Sequence, residues 1–479
     1  MRVILIYPRF KYPRFTNQEP LGLLYLASSL RVAGHEPVII DLTFEKDLDR
    51  LRQVKGAELI GISATTSMFP TVRRILHVIR RIAPEVPCVV GGPHATALPE
   101  DCLATGFDHA VVGEGEETIV DLVNTLQSHG SASCVPGVAT LDQDGTIAFK
   151  SRKPIDDLDS LPFPARDLLD FDPYTREGPF AYGIMVTRGC PYNCLFCKPM
   201  VNKLFGHKIR KRTPHNVADE IEEIARIHGS AEVPLNFRDD TLGVLKLDWW
   251  QDLRLELHQR GLRPNFVCQL RVNDVTPKLL ELMKDCGCFN IQFGVESGSQ
   301  RILNFYRKGI TVSQIVSAFD SCHAVGLRTY AFIMIGAPDE TTEELQQTLE
   351  LLKRIGPHDI GICVTTPAPG TDLYDLAIDE GIFSIADWSE ADYYTASMPM
   401  RLAYLTKHDI ARFSQAMKRA VYARQMAIAT GGFECGRIQR SLFDFAFYLV
   451  KWLGMERAAR NLLVHMPASD RIFHQFDTY

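Results

Sequence analysis

The sequence predicts an α/β protein: an N-terminal doubly wound, flavodoxin-like parallel sheet, then a partial (β/α)6 barrel of TIM type, then a C-terminal helical region. Three observations predict it. Short apolar runs alternate with segments of helical periodicity over roughly the first third of the chain. A second alternating series starts near residue 180 and contains six strand candidates, too few to close an eight-stranded barrel. Beyond about residue 381 the strand pattern stops and helical patterns take over. With 479 residues and a prior of roughly 150 residues per domain, two or three domains are expected.

In the first series the apolar runs predict strands over Val3–Tyr7, Val38–Asp41, Leu59–Ser63, Cys88–Gly91 and His109–Val112. Helical spacing predicts Leu21–Val32, Thr71–Ile82 and Thr118–Leu126 between them. Ligands of such sheets bind beyond the carboxyl ends of the strands. Here those ends read Tyr7-Pro8, Ser63-Ala64-Thr65-Thr66-Ser67, Gly91-Gly92-Pro93-His94-Ala95-Thr96 and Gly113-Glu114-Gly115-Glu116. Small and hydroxylated residues at several ends together let a bulky ligand approach the backbone.

The composition then shifts. Asp142-Gln143-Asp144-Gly145 reads as a hairpin turn, and Pro154, Pro162, Pro164 and Pro173 punctuate a stretch without periodicity. The second series predicts strands at Tyr182–Thr187, Val233–Arg238, Asn265–Leu270, Phe289–Gly294, Arg328–Ile335 and Asp359–Thr365. Helices are expected at Asn216–His228, Leu247–Gln259, Pro277–Lys284, Thr311–Ala324 and Thr341–Arg354, and after the barrel at Ile410–Ala429 and Leu442–Leu453. The expected division is therefore 1–135, a 136–179 linker with a hairpin, 180–380 for the barrel and 381–479 for a helical cap.

Lys plus Arg number 52 against 58 Asp plus Glu, a net charge of -6, so nothing draws the whole chain to phosphate backbones, and nucleic acid is excluded as the expected partner. The run Val3–Tyr7 is too short for a signal-peptide core, and no stretch approaches the ~20 apolar residues of a membrane span, so a cytoplasmic protein is expected. Twelve Cys are too sparse for a disulfide scaffold; in a reducing compartment, clustered Cys more often bind metal or do redox chemistry.

One cluster stands out: Cys190-Pro191-Tyr192-Asn193-Cys194-Leu195-Phe196-Cys197, directly after the first strand of the second series. A structural zinc site needs four ligands, and no partner pair lies nearby; Cys286-Gly287-Cys288 has the wrong spacing. A four-iron four-sulfur cluster held by three Cys leaves one iron open to a small molecule.

This loop, with Phe196 before the third Cys, resembles the cluster loop of radical S-adenosylmethionine enzymes. The resemblance implies Cys190, Cys194 and Cys197 as ligands of a 4Fe-4S cluster and S-adenosyl-L-methionine chelated at the open iron. It also implies an external electron donor such as flavodoxin or ferredoxin, and homolytic cleavage to a 5'-deoxyadenosyl radical. By the same resemblance Asp239 and Asp240, Gln269 and Arg271, and Glu296 and Ser297, at successive strand ends, would bind the S-adenosylmethionine.

The N-terminal part resembles the cobalamin-binding domain fused to one large subclass of that family. The resemblance rests on Glu19-Pro20-Leu21-Gly22-Leu23-Leu24-Tyr25-Leu26-Ala27, Gly61-Ile62-Ser63, Gly91-Gly92-Pro93-His94 and Gly113-Glu114-Gly115. It implies a cobalamin contact set of Tyr7, Pro20, Gly22, Ser63, Thr65, Gly91, Gly92, Pro93, His94, Gly113, Glu114 and Gly115. The D-x-H-x-x-G motif that supplies a lower axial His elsewhere is absent, because Asp108-His109 lacks the intervening residue.

Together the two resemblances imply methylation of an unactivated carbon of a small-molecule substrate. The alternatives are a ring-forming enzyme of the anaerobic cyclase kind, and a radical enzyme whose sheet domain only docks. The aromatic run Phe443–Trp452 suggests a hydrophobic substrate such as a lipid, isoprenoid or tetrapyrrole, or membrane contact through that helix.

Overall fold

In the computed structural model, which describes residues 1–9, 18–45, 47–142, 144–178, 180–384 and 400–431, parallel pairing organises both main sheets. The first contains β1 (Arg2–Tyr7), β2 (Glu36–Asp41), β3 (Leu59–Ser63), β4 (Cys88–Gly91) and β5 (His109–Val111) in the order β2-β1-β3-β4-β5. All four neighbouring pairs are parallel. This is the flavodoxin-like order, whose topological switch point lies between β1 and β3. Val3, Ile4, Leu5 and Ile6 are all buried, as expected for a strand covered on both faces.

Helices α1 (Leu21–Val32), α2 (Phe69–Ile82), α3 (Pro93–Ala97), α4 (Pro99–Ala104) and α5 (Glu116–Gln127) connect the strands. Phe69, Val72, Ile75, Leu76 and Ile79 of α2 form one buried stripe against Ile4, Ile60, Ile62 and Val90, each such side chain contributing roughly 1.5–3 kcal/mol of burial. Two short helices were not expected. Both α3 and α4 start with proline at the first helical position, where the missing N–H costs nothing.

The hairpin in the expected linker has a further role. Its strands β6 (Val138–Leu141) and β7 (Ile147–Phe149) extend the sheet antiparallel beyond β5, making it seven-stranded.

The second sheet has six parallel strands in sequential order: β8 (Tyr182–Ile184), β11 (Pro234–Phe237), β12 (Asn265–Leu270), β13 (Cys288–Glu296), β14 (Arg328–Ile335) and β15 (Asp359–Val364). This is the partial barrel. Between β8 and β11 come β9 (Thr187–Arg188), α7 (Met200–Phe205), β10 (Arg210–Lys211) and α8 (Pro214–His228), while α6 (Asp172–Glu177) precedes β8. The crossovers are α9 (Leu247–Gln259), α10 (Pro277–Asp285), α11 (Gln300–Phe305) with α12 (Val312–Ala324), and α13 (Thr342–Ile355); α14 (Asp372–Asp379) and α15 (Lys407–Gly431) follow.

Helix starts in this sheet repeat one device. Thr213, Thr276, Thr311 and Thr341 each accept a backbone N–H from the first turn, and at Thr311 and Thr341 a Gln or Glu completes a capping box. Inside, Phe237 meets Phe266 edge-on with ring centroids 4.5 Å apart, and Trp250 stacks on Phe266 at 6.3 Å. Helix α15 is tied to the barrel where the Tyr422 hydroxyl donates to Asp359 at 2.7 Å.

The expected strand Tyr182–Thr187 is broken. β8 stops at Ile184, and Thr187–Arg188 pairs antiparallel with β10 instead. The compact units reflect that break: Met1–Pro173, Thr187–Arg212 and the described residues of Pro367–Asp392 form one, while Tyr174–Val186, Thr213–Thr366 and α15 belong to the other. The cysteine loop thus packs with the first sheet, a grouping no linear boundary describes. Among the described residues no helix is long and apolar enough to cross a membrane. The expected helix Leu442–Leu453 lies outside the described residues.

Candidate active site

The cysteine loop is a tight, internally bonded turn. The Cys194 carbonyl accepts the N–H of both Cys197 and Lys198 at 3.0 Å. Lys198, 5% exposed, donates from Nζ to the Cys190 carbonyl at 2.8 Å and to Asn202, closing the loop from end to end. From outside, the N–H groups of Asp372 and Leu373, in the first turn of α14, donate to the carbonyls of Lys198 (2.7 Å) and Leu195 (3.0 Å). Gly189 takes φ +95°, with the Lys208 carbonyl oxygen 3.3 Å from where a Cβ would stand, so a side chain there would be strained.

Cys194 is buried; Cys190 and Cys197 are half-buried. Among the described residues no three His, Cys, Asp or Glu side chains are gathered as ligands of a single ion. A four-iron cluster binds its thiolates to different irons rather than converging them on one. Three soft thiolate donors on one short loop fit that group, whereas among the described residues no fourth ligand of the kind structural zinc takes is gathered with them.

At the root of the loop lie four buried charges. Arg188 donates from Nη1 to Glu114 Oε1 at 2.7 Å and from Nη2 to Glu116; Arg210 donates to Glu114 Oε2 at 2.8 Å. Burial pushes the Glu116 carboxyl towards the neutral form, but the Arg188 charge and hydrogen bond outweigh it and hold its pKa below the ordinary value.

The Glu114 Oε1 is taken by Arg188, and its Oε2 by Arg210 and by the Ile155 N–H at 2.8 Å, so the carboxylate itself is held by protein donors.

At the other ends of the first sheet the candidates are small or half-buried. Gly92 takes φ +99°, and a Cβ there would stand 2.9 Å from the Ala64 carbonyl oxygen. Glycine is therefore required where the β4 loop crosses the end of β3, and the His94 N–H donates to that same carbonyl at 3.0 Å. Gly91, Gly113, Gly115, Ser63, Thr65 and Tyr7 are half-buried, Pro93 and Gly22 exposed, and Pro20 buried. The Gly113 N–H donates to Thr96 Oγ1 at 3.1 Å, linking two of the ends. Glycines and hydroxyls at adjacent strand ends fit a large flat ligand held through backbone contacts.

His94 differs. It is fully buried, with Nδ1 3.3 Å from Thr66 Oγ1 and Nε2 3.3 Å from Asp101, and its ring lies on Phe69 at 3.9 Å. Burial, partly opposed by Asp101, lowers its pKa to about 4. The neutral ring packs α3 against the turn after β3 and against α2, with Asp101 of α4 beside it. His109 opens β5, at the end of that strand away from these loops.

In the barrel unit the candidates divide by burial. Asp239 is 3% exposed and accepts the Val186 N–H at 3.0 Å. Arg271 is buried, donating to Asn273 at 3.2 Å and to the Lys308 carbonyl. Glu296 has φ +62° beside a register shift at the end of β13, and Lys308 Nζ donates to its Oε1 at 2.6 Å. Ser297 is fully buried, 3.3 Å from Thr348 Oγ1, and accepts the Ser299 N–H; these bonds make it a tie to α13. Asp240 and Gln269 are exposed, and Phe196 is half-buried.

Three groups escaped the sequence reading: Lys198, Lys308 and Glu340. The signal for Lys308 was faint: a basic residue in a loop that only the fold brings onto Glu296. Glu340 is buried and accepts the N–H of Gly336 (2.6 Å) and Ala337 (3.3 Å) on Oε2, while Oε1 has no hydrogen-bond partner among the described residues. Burial raises its pKa to about 7, against the pull of those N–H groups.

A carboxyl whose folded pKa exceeds its unfolded value stabilises at low pH and loses that contribution as pH rises through the folded pKa. Stability should therefore fall between about pH 4.5 and pH 7 by on the order of 1–3 kcal/mol through Glu340. Glu340→Gln should flatten that slope, measured as urea midpoints at pH 5 and pH 8. Parallel movement of wild type and variant would show that Glu340 does not carry it.

Comparison with known proteins adds the following. Residues 15–123 match the B12 binding domain family, and residues 184–352 match the radical SAM superfamily. An uncharacterized methyltransferase of Pyrococcus horikoshii is 32% identical over 449 residues, covering 91% of this chain and 95% of the relative. The anaerobic magnesium-protoporphyrin IX monomethyl ester cyclase of Rubrivivax gelatinosus is 27% identical over 418 residues, covering 83% of this chain and 73% of the relative. Among solved structures, the radical S-adenosylmethionine methyltransferase TsrM of Kitasatospora setae, with cobalamin and a [4Fe-4S] cluster bound, superposes with a TM-score of 0.67. It is 18% identical and covers 80% of this chain and 76% of its own.

Proposed function

Since the chain belongs to the cobalamin-binding radical S-adenosylmethionine enzymes, we propose that it transfers a methyl group to an unactivated carbon of a small molecule. The observation that carries this reading is the presence, in one compact unit, of the three-thiolate loop and the glycine- and hydroxyl-rich strand ends of the B12-type sheet. The relative of highest identity cited above, covered almost end to end, is named a methyltransferase.

When bound, the reduced cluster supplies the electron that breaks the sulfonium of S-adenosylmethionine to a carbon radical, and cobalamin supplies the methyl group. The protein's part is to hold and orient. Cys190, Cys194 and Cys197 would hold iron as thiolates, with Lys198 keeping the loop closed. The Gly91–Gly92 and Gly113–Gly115 ends would present backbone to a corrin ring, with Thr65, Ser63 and Tyr7 alongside. Asp239, Arg271 and Glu296 are the buried charges of the barrel ends that suit a zwitterionic amino acid with a ribose. In this reading an external one-electron donor such as flavodoxin or ferredoxin reduces the cluster, and the substrate is hydrophobic, of lipid, isoprenoid or tetrapyrrole kind.

The cyclase relative favours a second reading, ring formation without methyl transfer. Anaerobically prepared enzyme separates the two. Methylation releases S-adenosylhomocysteine together with 5'-deoxyadenosine, whereas cyclisation releases deoxyadenosine alone. Protein carrying about four irons per chain and corrinoid absorbance, yet giving no S-adenosylhomocysteine with any accepted substrate, would overturn the methyl-transfer reading.

A further inference from the structure

The four charges at the root of the cysteine loop do more than the proposed chemistry asks of them. Arg188 stands two residues before Cys190, and Arg210 lies on the paired strand β10. Glu114 and Glu116 stand in the turn that leads from β5 into α5, on either side of Gly115. Their side chains are 3%, 2%, 4% and 8% exposed. Two acids face two bases, so the set is formally neutral. Arg210 also donates to the carbonyls of Ile155 and, at 2.7 Å, Phe205.

Such a lattice is a poor way to gain stability. Removing each charge from water costs several kcal/mol, and well-packed apolar residues of similar volume often do as well. What it provides is direction. A guanidinium forks rigidly onto carboxylates, fixing distance and angle between the elements that carry them. Here those elements are the loop bearing the thiolates and the strand end bearing Gly113 and Gly115.

We infer that Arg188 and Glu116 are positioning residues: their ion pair, shared with Glu114 and Arg210, locks the cysteine loop onto the end of β5. Methyl transfer thereby stays coupled to S-adenosylmethionine cleavage. The coupling half rests on the function proposed above; the lock itself does not. Displacement of reacting groups by ~1 Å can cost on the order of a hundredfold in rate. A slackened lock should therefore leave the thiolates able to hold iron and support cleavage while methyl transfer fails.

Two measurements on the full chain test this. The first is amide hydrogen exchange of the iron-loaded protein without substrate. In Arg188→Gln and in Glu116→Gln, residues 113–116 and 187–197 should exchange faster together, by at least about tenfold, while β14 stays as in wild type. The second is the ratio of 5'-deoxyadenosine formed to product methylated, which should rise at least tenfold in the same variants at unchanged iron content.

Arg188→Lys keeps the charge but loses the fork, and should stay uncoupled although folded. Arg188→Gln/Glu116→Gln restores neutrality without the lock and serves if either single variant fails to fold. Wild-type exchange in both segments, or a wild-type ratio in any folded, iron-loaded variant, overturns the inference. If wild type methylates nothing, the function reading fails instead, and the exchange measurement alone decides the lock.

Discussion

Cys194→Ala is expected to leave a folded protein that binds little iron and no longer cleaves S-adenosylmethionine. The backbone turn around Cys194 does not need its side chain: the carbonyl, not the sulfur, accepts the N–H groups of Cys197 and Lys198. Alanine preserves that turn and removes one of three thiolates from a loop that offers no replacement. A loss of at least about a thousandfold in cleavage is expected, a modest part of the ~10⁶-fold or larger acceleration enzymes supply. Iron analysis and 5'-deoxyadenosine release read the result. Retained turnover, or a colourless wild type with zinc on the loop after anaerobic reconstitution, would remove the cluster assignment.

Lys308→Met is expected to be the most damaging single change outside that loop. The Lys308 and Glu296 side chains are 8% and 7% exposed, and their contact is 2.6 Å. Removing the cation leaves Glu296 buried without its partner, on a backbone already held at φ +62°. Breaking such a pair from one side typically costs about 3–5 kcal/mol, whereas replacing both members by neutral groups of similar shape is far milder. Lys308→Met/Glu296→Gln should therefore recover most of the loss in urea midpoint. Equal losses in the single and the double variant would mean that the pair is not what holds this strand end. Activity should stay low in both, since Glu296 belongs to the proposed S-adenosylmethionine contacts.

These two changes illustrate what a sequence exposes and what it conceals. The cysteine loop is local: C-x-x-x-C-x-x-C spacing puts its three donors on one short turn, and the sequence alone shows that. The strand ends of the first sheet were legible for a related reason, since glycine where backbone crosses backbone, as at Gly92 over Ala64, leaves a compositional mark. Lys308 left none. Its role depends on a chain reversal that carries it back over the residue ending β13, and a lysine in a loop between two helices reads as a solvated charge. Glu114 shows the converse: its motif is recognisable in the chain, but the partners of its carboxylate, two arginines from a distant segment, are not.

What the sequence determined by itself was periodicity and donor chemistry: two series of parallel strands, the place where each exposes its carboxyl ends, and three thiolates able to share one inorganic group. Apolar patterning and close spacing are local properties, and folding only realises them. What the tertiary structure decided was partnership. It broke the first barrel strand after Ile184, gave Thr187–Arg212 to the N-terminal sheet, added the linker hairpin to that sheet's edge, and chose which buried charges neutralise one another. Burial of a charge is tolerable only beside its opposite, and which opposite arrives there is settled by long-range packing that no spacing in the chain records.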